Sequence, residues 1–229
     1  MVVATRRREA SAGAQQEAES LTERAYRALE EQIVTLKIAP GAIVSEAALS
    51  KRVGFGRTPI REAIQRLARE RLVTIMPRRG LVVSEINIQT QLRLLEVRRE
   101  LERLAARCAA RRATVEERAR FKAISEGMEE AGRSNDDTTF MRLDREFNLL
   151  VLKSARNEFA TGAMMLVHGL SRRFWYIHYK QVADMPRAAR LHAEMARAIA
   201  DGDQERAAKA SDALMDYIEE FTRATLSEL

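Results

Sequence analysis

The sequence predicts a mainly α protein in two parts: an N-terminal winged helix-turn-helix with a small β-hairpin wing, and a C-terminal antiparallel all-α bundle of about six helices. Three observations carry this. Helix formers abound and breakers are scarce, with four prolines and ten glycines in 229 residues. β-Branched runs are confined to Val73-Thr74-Ile75 and Leu81-Val82-Val83. Positive charge is concentrated: residues 51–80 hold nine Lys and Arg against two acids, a net of +7, whereas the whole chain carries +6. A nucleic-acid phosphate backbone is the partner such a local excess fits.

Residues 1–19 carry Arg6, Arg7 and Arg8 in a polar run without hydrophobic periodicity, which predicts a flexible tail. Ser20-Leu21-Thr22-Glu23 has the spacing of a capping box, and Tyr26, Leu29, Ile33 and Leu36 form the apolar stripe of a first helix that stops before Pro40-Gly41. Ser45 can cap a short second helix that runs to about Val53 and ends at Gly54. In the third helix Ile60, Ile64 and Leu67 make the inward stripe, and Pro59 is tolerated in the first turn. The two β-branched runs flank Met76-Pro77-Arg78-Arg79-Gly80, a hairpin with a basic tip. From about residue 88 the periodicity is helical to the end. Leu94, Val97, Leu101, Leu104 and Cys108 form one stripe, and Thr114 to Glu117 is a second capping box. Phe140, Leu143, Phe147 and Val151 mark a further helix, followed by helices over roughly 157–180, 186–201 and 204–226. The reading divides the chain into a tail at 1–19, a DNA-binding domain at 20–84 and an all-helical effector-binding and dimerisation domain at 88–229.

A single cysteine, Cys108, excludes an internal disulfide framework and a Cys-rich zinc site. The N-terminal sequence has no apolar run suited to a signal peptide or membrane span, so the expectation is a cytoplasmic protein without a membrane partner.

Arg57, Arg61 and Gln65 recur at four-residue steps beside the apolar stripe of the third helix, where side chains reach a major groove; arginine matches the paired acceptors of guanine. Thr58 can donate to a base or phosphate, and Arg78 and Arg79 beside Gly80 would reach the backbone or minor groove. In the helical half, Asp144 falls on the inward face between Phe140 and Phe147, where a carboxylate needs a partner. Asn148 borders that face, His192 lies between Ala188 and Met195, and Tyr217 follows Leu214 on an inward stripe. Such converging polar groups suit a ligand cavity. Arg98 is a candidate carboxylate anchor, or else it and Asp144 neutralise one another. His168 and His178 read as core or interface histidines, and Phe174-Trp175-Tyr176 as core or dimer packing. Arg172 and Arg173 could touch an anion or form a solvated pair.

Residues Leu21 to Ser84, with Arg57-Thr58-Pro59-Ile60-Arg61-Glu62-Ala63 opening the third helix, resemble the winged-helix domain of GntR-type bacterial transcription regulators. The resemblance implies that Arg57, Thr58 and Arg61 contact an operator and that Gly80 is the wing glycine. Gly56 stands where serine is usual, and Ala47 where some members have a phosphate-binding arginine. Residues 88 to 225 resemble the ligand domain of the FadR subgroup through Glu96-x-Arg98-x-x-x-Glu102, Asp144-x-x-Phe147-Asn148, Leu191-His192 and Gly202-Asp203. Many of that subgroup hold a divalent metal with one Asp and three His. Asp144 and His192 match two of those positions, Asn148 replaces a third, and Tyr217 or Leu214 the fourth. Two strong ligands are too few for a tight Zn or Ni site, so a metal would need weak Asn, Tyr or water donors.

The function expected from these readings is a ligand-responsive transcription regulator, a homodimer on a palindromic operator, with a small organic acid as effector; it is not an enzyme. The alternative is a metal-assisted hydrolase domain fused to a DNA module, which three histidines and the lack of a G-x-S-x-G motif disfavour.

Overall fold

The computed structural model describes residues 20–228; the expected tail over 1–19 lies outside them. Helix α1 spans Leu21–Val34, with the Ser20 hydroxyl accepting from the Glu23 amide at 3.1 Å. Only this half of the capping box forms, because the Glu23 carboxylate is engaged by Arg66 at 2.7 Å. The helix also ends before Leu36, which adopts a left-handed φ of 62° and leaves the stripe. After strand β1 (Ile43–Val44) come α2 (Glu46–Val53), capped by Ser45 and closed by left-handed Gly54, and α3 (Arg57–Arg69). Strands β2 (Val73–Met76) and β3 (Gly80–Val83) form the wing.

The sheet is three-stranded, in the order β1-β3-β2, where the sequence predicted only a hairpin. Ile43 and Val44 pair antiparallel with Val82 and Leu81. Two residues are too few to show period-two alternation, which is why β1 gave no signal. Tyr26, Leu29, Ile33, Leu49, Ile60, Ile64, Leu67, Leu72, Leu81 and Val83 close one core beneath these elements.

Residues 84–87 lead to six helices: α4 (Ile88–Arg112), α5 (Val115–Ser134), α6 (Asp137–Ala155), α7 (Glu158–Val182), α8 (Met185–Asp201) and α9 (Gln204–Ala224). A 3-10 turn over Thr225–Glu228 follows. The capping box of Thr114 and Glu117 is complete at the start of α5. Phe121, Ile124, Met128, Phe147, Met195, Ile199 and Leu214 anchor the bundle core.

The stripe expected on α4 is rotated. Val97 is 54% exposed and Leu104 44%, while the inward face carries Leu94, Leu95, Arg98, Glu102, Ala105 and Ala109. A buried ion pair between Arg98 and Glu102 one turn apart occupies positions that apolar periodicity assigns to solvent. Helices α4 and α7 run antiparallel: Gln91 and Arg98 meet Ser171, and further along α4 Glu102 and Ala105 enclose a small void with Met164 and His168.

The two cores abut through α7. Leu170 packs on the N-terminal core, and Gly169 lies so close to Leu72 that a Cβ there would stand 2.8 Å from Leu72 Cδ1. Arg173, almost fully buried, donates to the Glu85 carbonyl at 3.2 Å.

Candidate functional site

Two regions concentrate functional side chains. The first is the outer face of α3. Arg57, Thr58, Arg61 and Gln65 are all exposed, since Ile60, Ala63, Ile64 and Leu67 turn the opposite face into the core. Gly56 caps the helix without a side-chain bond, so the first-turn amides and the positive end of the helix dipole stay open to an anion. Arg61 holds Glu46 of α2 at 3.3 Å, an exposed and weak pair that a stronger acceptor can displace. At the wing tip Arg78 and Arg79 are exposed, Arg78 in a left-handed turn at φ 62°. Gly80 has a backbone role: at φ 95° a Cβ would lie 2.6 Å from the Val44 carbonyl oxygen, blocking β1 from β3.

Not every arginine of the basic stretch faces outward. Arg66 stacks 3.5 Å from the centre of the Tyr26 ring and bonds Glu23 and Glu70, while Tyr26 donates to Glu70 at 2.8 Å. Burial holds the Tyr26 hydroxyl well above its ordinary pKa, with the Glu70 charge adding to it. This network fixes α3 to α1 and withdraws one positive charge from the exposed face of α3.

The second region is a cavity of about 60 Å³ inside the helical bundle. Arg98, Asp144, Asn148, His192 and Tyr217 all line it, brought together from α4, α6, α8 and α9. Asp144 is neutralised by His192, whose Nε2 lies 3.1 Å from Asp144 Oδ1, and it also accepts from Asn148 Nδ2 at 2.9 Å. The other His192 nitrogen donates to the Ala188 carbonyl at 2.8 Å. Burial opposes the charge on both partners, yet their mutual contact outweighs it: His192 is raised and Asp144 lowered from their ordinary values. Arg98 therefore does not neutralise Asp144; it bonds Glu102 and, at 2.5 Å, the Ser171 hydroxyl.

The donor set does not fit the metal site that the FadR resemblance implied. Asn148 turns its amide nitrogen onto Asp144, and the Tyr217 hydroxyl donates to the Asp184 carbonyl at 3.1 Å. Both nitrogens of His192 are engaged, and among the described residues no three His, Cys, Asp or Glu side chains gather as a ligand set.

Comparison with known families agrees with this two-part geometry. The model for bacterial regulatory proteins of the gntR family matches residues 21–83, and the FCD domain model matches residues 93–217, more than half of the chain. The chain is a GntR-family transcription regulator with an FCD domain. It is 27% identical to the HTH-type transcriptional repressor RspR of Escherichia coli (strain K12) over 203 residues, covering 89% of each chain. It is 30% identical over 125 residues to the Nta operon transcriptional regulator of Aminobacter aminovorans, covering 55% of this chain and 59% of that protein. Among solved structures, E. coli McbR/YncC superposes with a TM-score of 0.75 at 19% identity, over 91% of this chain and all of the other, which shows a common fold.

For a GntR-FCD regulator the hydrolase alternative lapses, since both matched models and the curated relatives are those of transcription regulators. No helix among its described residues is long and apolar enough to cross a membrane. Sequence reasoning missed part of the cavity of this regulator. Gln91, His168, Ser171, Arg172, Trp175 and Tyr176 also line it, so Phe174-Trp175-Tyr176 is cavity wall as well as packing. The spacing His168, Ser171, Arg172, Trp175 is itself a helical stripe of polar and aromatic groups, a signal that could have placed α7 in the wall. His168 is half-buried, and desolvation with the charges of Arg98 and Arg172 pushes its pKa down to about 4.

Proposed function

We propose that this regulator acts in the cytoplasm as a homodimer on a two-fold operator, with residues 20–84 binding DNA and 88–229 binding an effector and dimerising. Arg57, Thr58, Arg61 and Gln65 read base edges in the major groove. Arg78 and Arg79 hold the backbone or adjacent minor groove, and Gly80 sets the wing geometry they need. The cavity takes a small carboxylate anchored on Arg98, with Asp144, Asn148, His192 and Tyr217 contributing polar contacts. The observation that carries the DNA reading is the one exposed strip of α3, Arg57, Thr58, Arg61 and Gln65, beside an uncapped helix start.

A homodimer is supported by an apolar strip that the fold leaves in water. Val97 and Leu104 on α4 and Phe159, Leu166 and Ile177 on α7 are exposed, and helical spacing puts them on one side of the antiparallel pair. Two linked modules also multiply the specificity that one small module supplies.

The test is operator binding by fluorescence anisotropy, using the DNA upstream of the regulator's own gene. Arg61→Ala should weaken specific binding by about 5- to 150-fold, the range of one well-made guanine contact. A folded Arg61→Ala protein with unchanged operator affinity would sink the assignment.

A further inference from the structure

Arg172 belongs to two places at once. It lines the cavity from α7, one residue after the Ser171 that holds Arg98. Its guanidinium, however, reaches out of the bundle to α1 of the DNA-binding part, bonding Glu30 at 2.7 Å and standing 3.6 Å from Glu31. Both Arg172 and Glu30 are largely buried, their side chains 12% and 8% exposed. Arg145 of α6, which is not in the cavity wall, stands behind them, 3.9 Å from Glu30 and 3.1 Å from Glu31.

The charges around the cavity form three pairs of unequal security. His192 is matched by Asp144, and Arg98 by Glu102, each within the bundle. Arg98 can meet a new anion only while keeping Glu102, and His192 only while keeping Asp144, because neither carboxylate has a second cation within ion-pair distance among the described residues. Arg172 differs. Its partner lies in the other domain and has Arg145 in reserve, so an arriving carboxylate can take Arg172 while Glu30 keeps a cation. His168, which also lines the cavity and has its pKa pushed down by burial, Arg98 and Arg172, offers no competing positive charge.

We propose that Arg172 is an effector-binding residue and the coupling element of the regulator: a bound carboxylate takes Arg172 from Glu30, and the cross-domain ion pair passes to Arg145. This rests on the small-acid reading of the cavity. At about 60 Å³ the cavity has room for a small acid, since about 10–15 Å³ of accessible space already holds a water molecule. Two- and three-carbon carboxylates fit. Loss of the Arg172 contact removes the ion pair between α1 and α7, and α1 carries α3 through Tyr26, Arg66 and Glu70, so the exchange changes how the DNA-reading helix is held.

The experiment uses the full chain with pyruvate as probe and uncharged pyruvamide as control. Calorimetry measures uptake, and anisotropy measures operator affinity with and without pyruvate. Wild type should bind pyruvate and not pyruvamide, and saturating pyruvate should shift operator affinity at least fivefold. Arg172→Gln should weaken pyruvate binding at least tenfold. Glu30→Gln, which removes the competing anion, should bind pyruvate as tightly as wild type or tighter while its operator affinity no longer responds. Arg145→Gln, outside the cavity, should weaken pyruvate binding about tenfold because Glu30 then has no cation to receive. Pyruvate binding that is lost in Arg98→Gln but within twofold of wild type in Arg172→Gln would overturn the role of Arg172 and leave the acid-binding reading standing. A Glu30→Gln or Arg145→Gln protein that binds and responds like wild type would overturn the exchange. Wild type that binds operator yet takes up no pyruvate would overturn the small-acid reading and this inference with it.

Discussion

His192 and Asp144 form a largely buried pair in the cavity wall, 3.1 Å apart, with the second imidazole nitrogen held by the Ala188 carbonyl. The pair ties α6 to α8, and its pH dependence follows from the two shifts. Asp144 is lowered, so its contribution is present above the unfolded carboxylate pKa and is lost as pH falls through the lowered folded value. His192 is raised, so its contribution is full below the unfolded imidazole pKa and is lost as pH rises through the raised folded value. Asp144→Asn should therefore cost the most between about pH 4 and 6.5, on the order of 2–3 kcal/mol. The gap between wild type and variant should narrow by pH 9. Urea titrations at several pH values give the profile, and a cost that is flat with pH would contradict it.

Gly80 and Gly54 separate backbone strain from steric blockage. Both have positive φ, but a Cβ at Gly54 meets open space, whereas at Gly80 it would stand 2.6 Å from the Val44 carbonyl oxygen. Gly54→Ala should cost only the left-handed penalty, about 1–2 kcal/mol. Gly80→Ala should cost more than that and also release β1, seen as faster amide exchange at Val83, whose N–H donates to the Ala42 carbonyl beside β1 at 3.0 Å. Equal losses in the two variants would show that the sheet absorbs the methyl group.

How much of this was legible in the sequence depends on whether local pattern decided the structure. The stripe Ile60, Ile64, Leu67 fixed α3 and so the outward direction of Arg57, Arg61 and Gln65, because a helix has one possible opposite face. Asp144 and His192 could be placed indoors by their apolar neighbours, yet their contact required the packing of α6 on α8. Val97 and Leu104 misled because Arg98 and Glu102 occupy the inward face as a mutually satisfied pair, which apolar periodicity reads as surface. The link from Arg172 to Glu30 spans 142 positions and two domains, and no local spacing encodes it.

Arg173 carries a charge that the fold serves poorly. It is 1% exposed, donates only to the Glu85 carbonyl, and its Nε and Nη1 meet no acceptor among the described residues. Burial pushes its pKa down to about 10. A long apolar side chain of similar reach removes the desolvation cost, giving up a bond to a carbonyl and the attraction of the Glu85 charge, which burial outweighs. Arg173→Met should raise stability by about 1–3 kcal/mol in thermal or urea unfolding. A loss of stability would mean that the bond to residue 85 outweighs the buried charge.

The apolar strip on α4 and α7 makes the proposed homodimer testable residue by residue. Phe159 is 82% exposed in the first turn of α7, and Leu166 follows two turns later on the same side. A stable dimer buries roughly 800 Å² from each partner, and a charge set in the middle of such a face stays unpaired on association. Leu166→Glu should yield a monomer in sedimentation equilibrium, with a melting temperature near that of the dissociated wild type because the residue touches little within its own chain. Operator binding should fall at least tenfold as each half-site is then bound alone. Leu149→Glu is the control: Leu149 is equally exposed but lies on α6, along the cleft that also holds Arg145 and Met165, away from this strip. If Leu149→Glu dissociates the protein and Leu166→Glu does not, the dimer uses the cleft face and the strip must be explained otherwise.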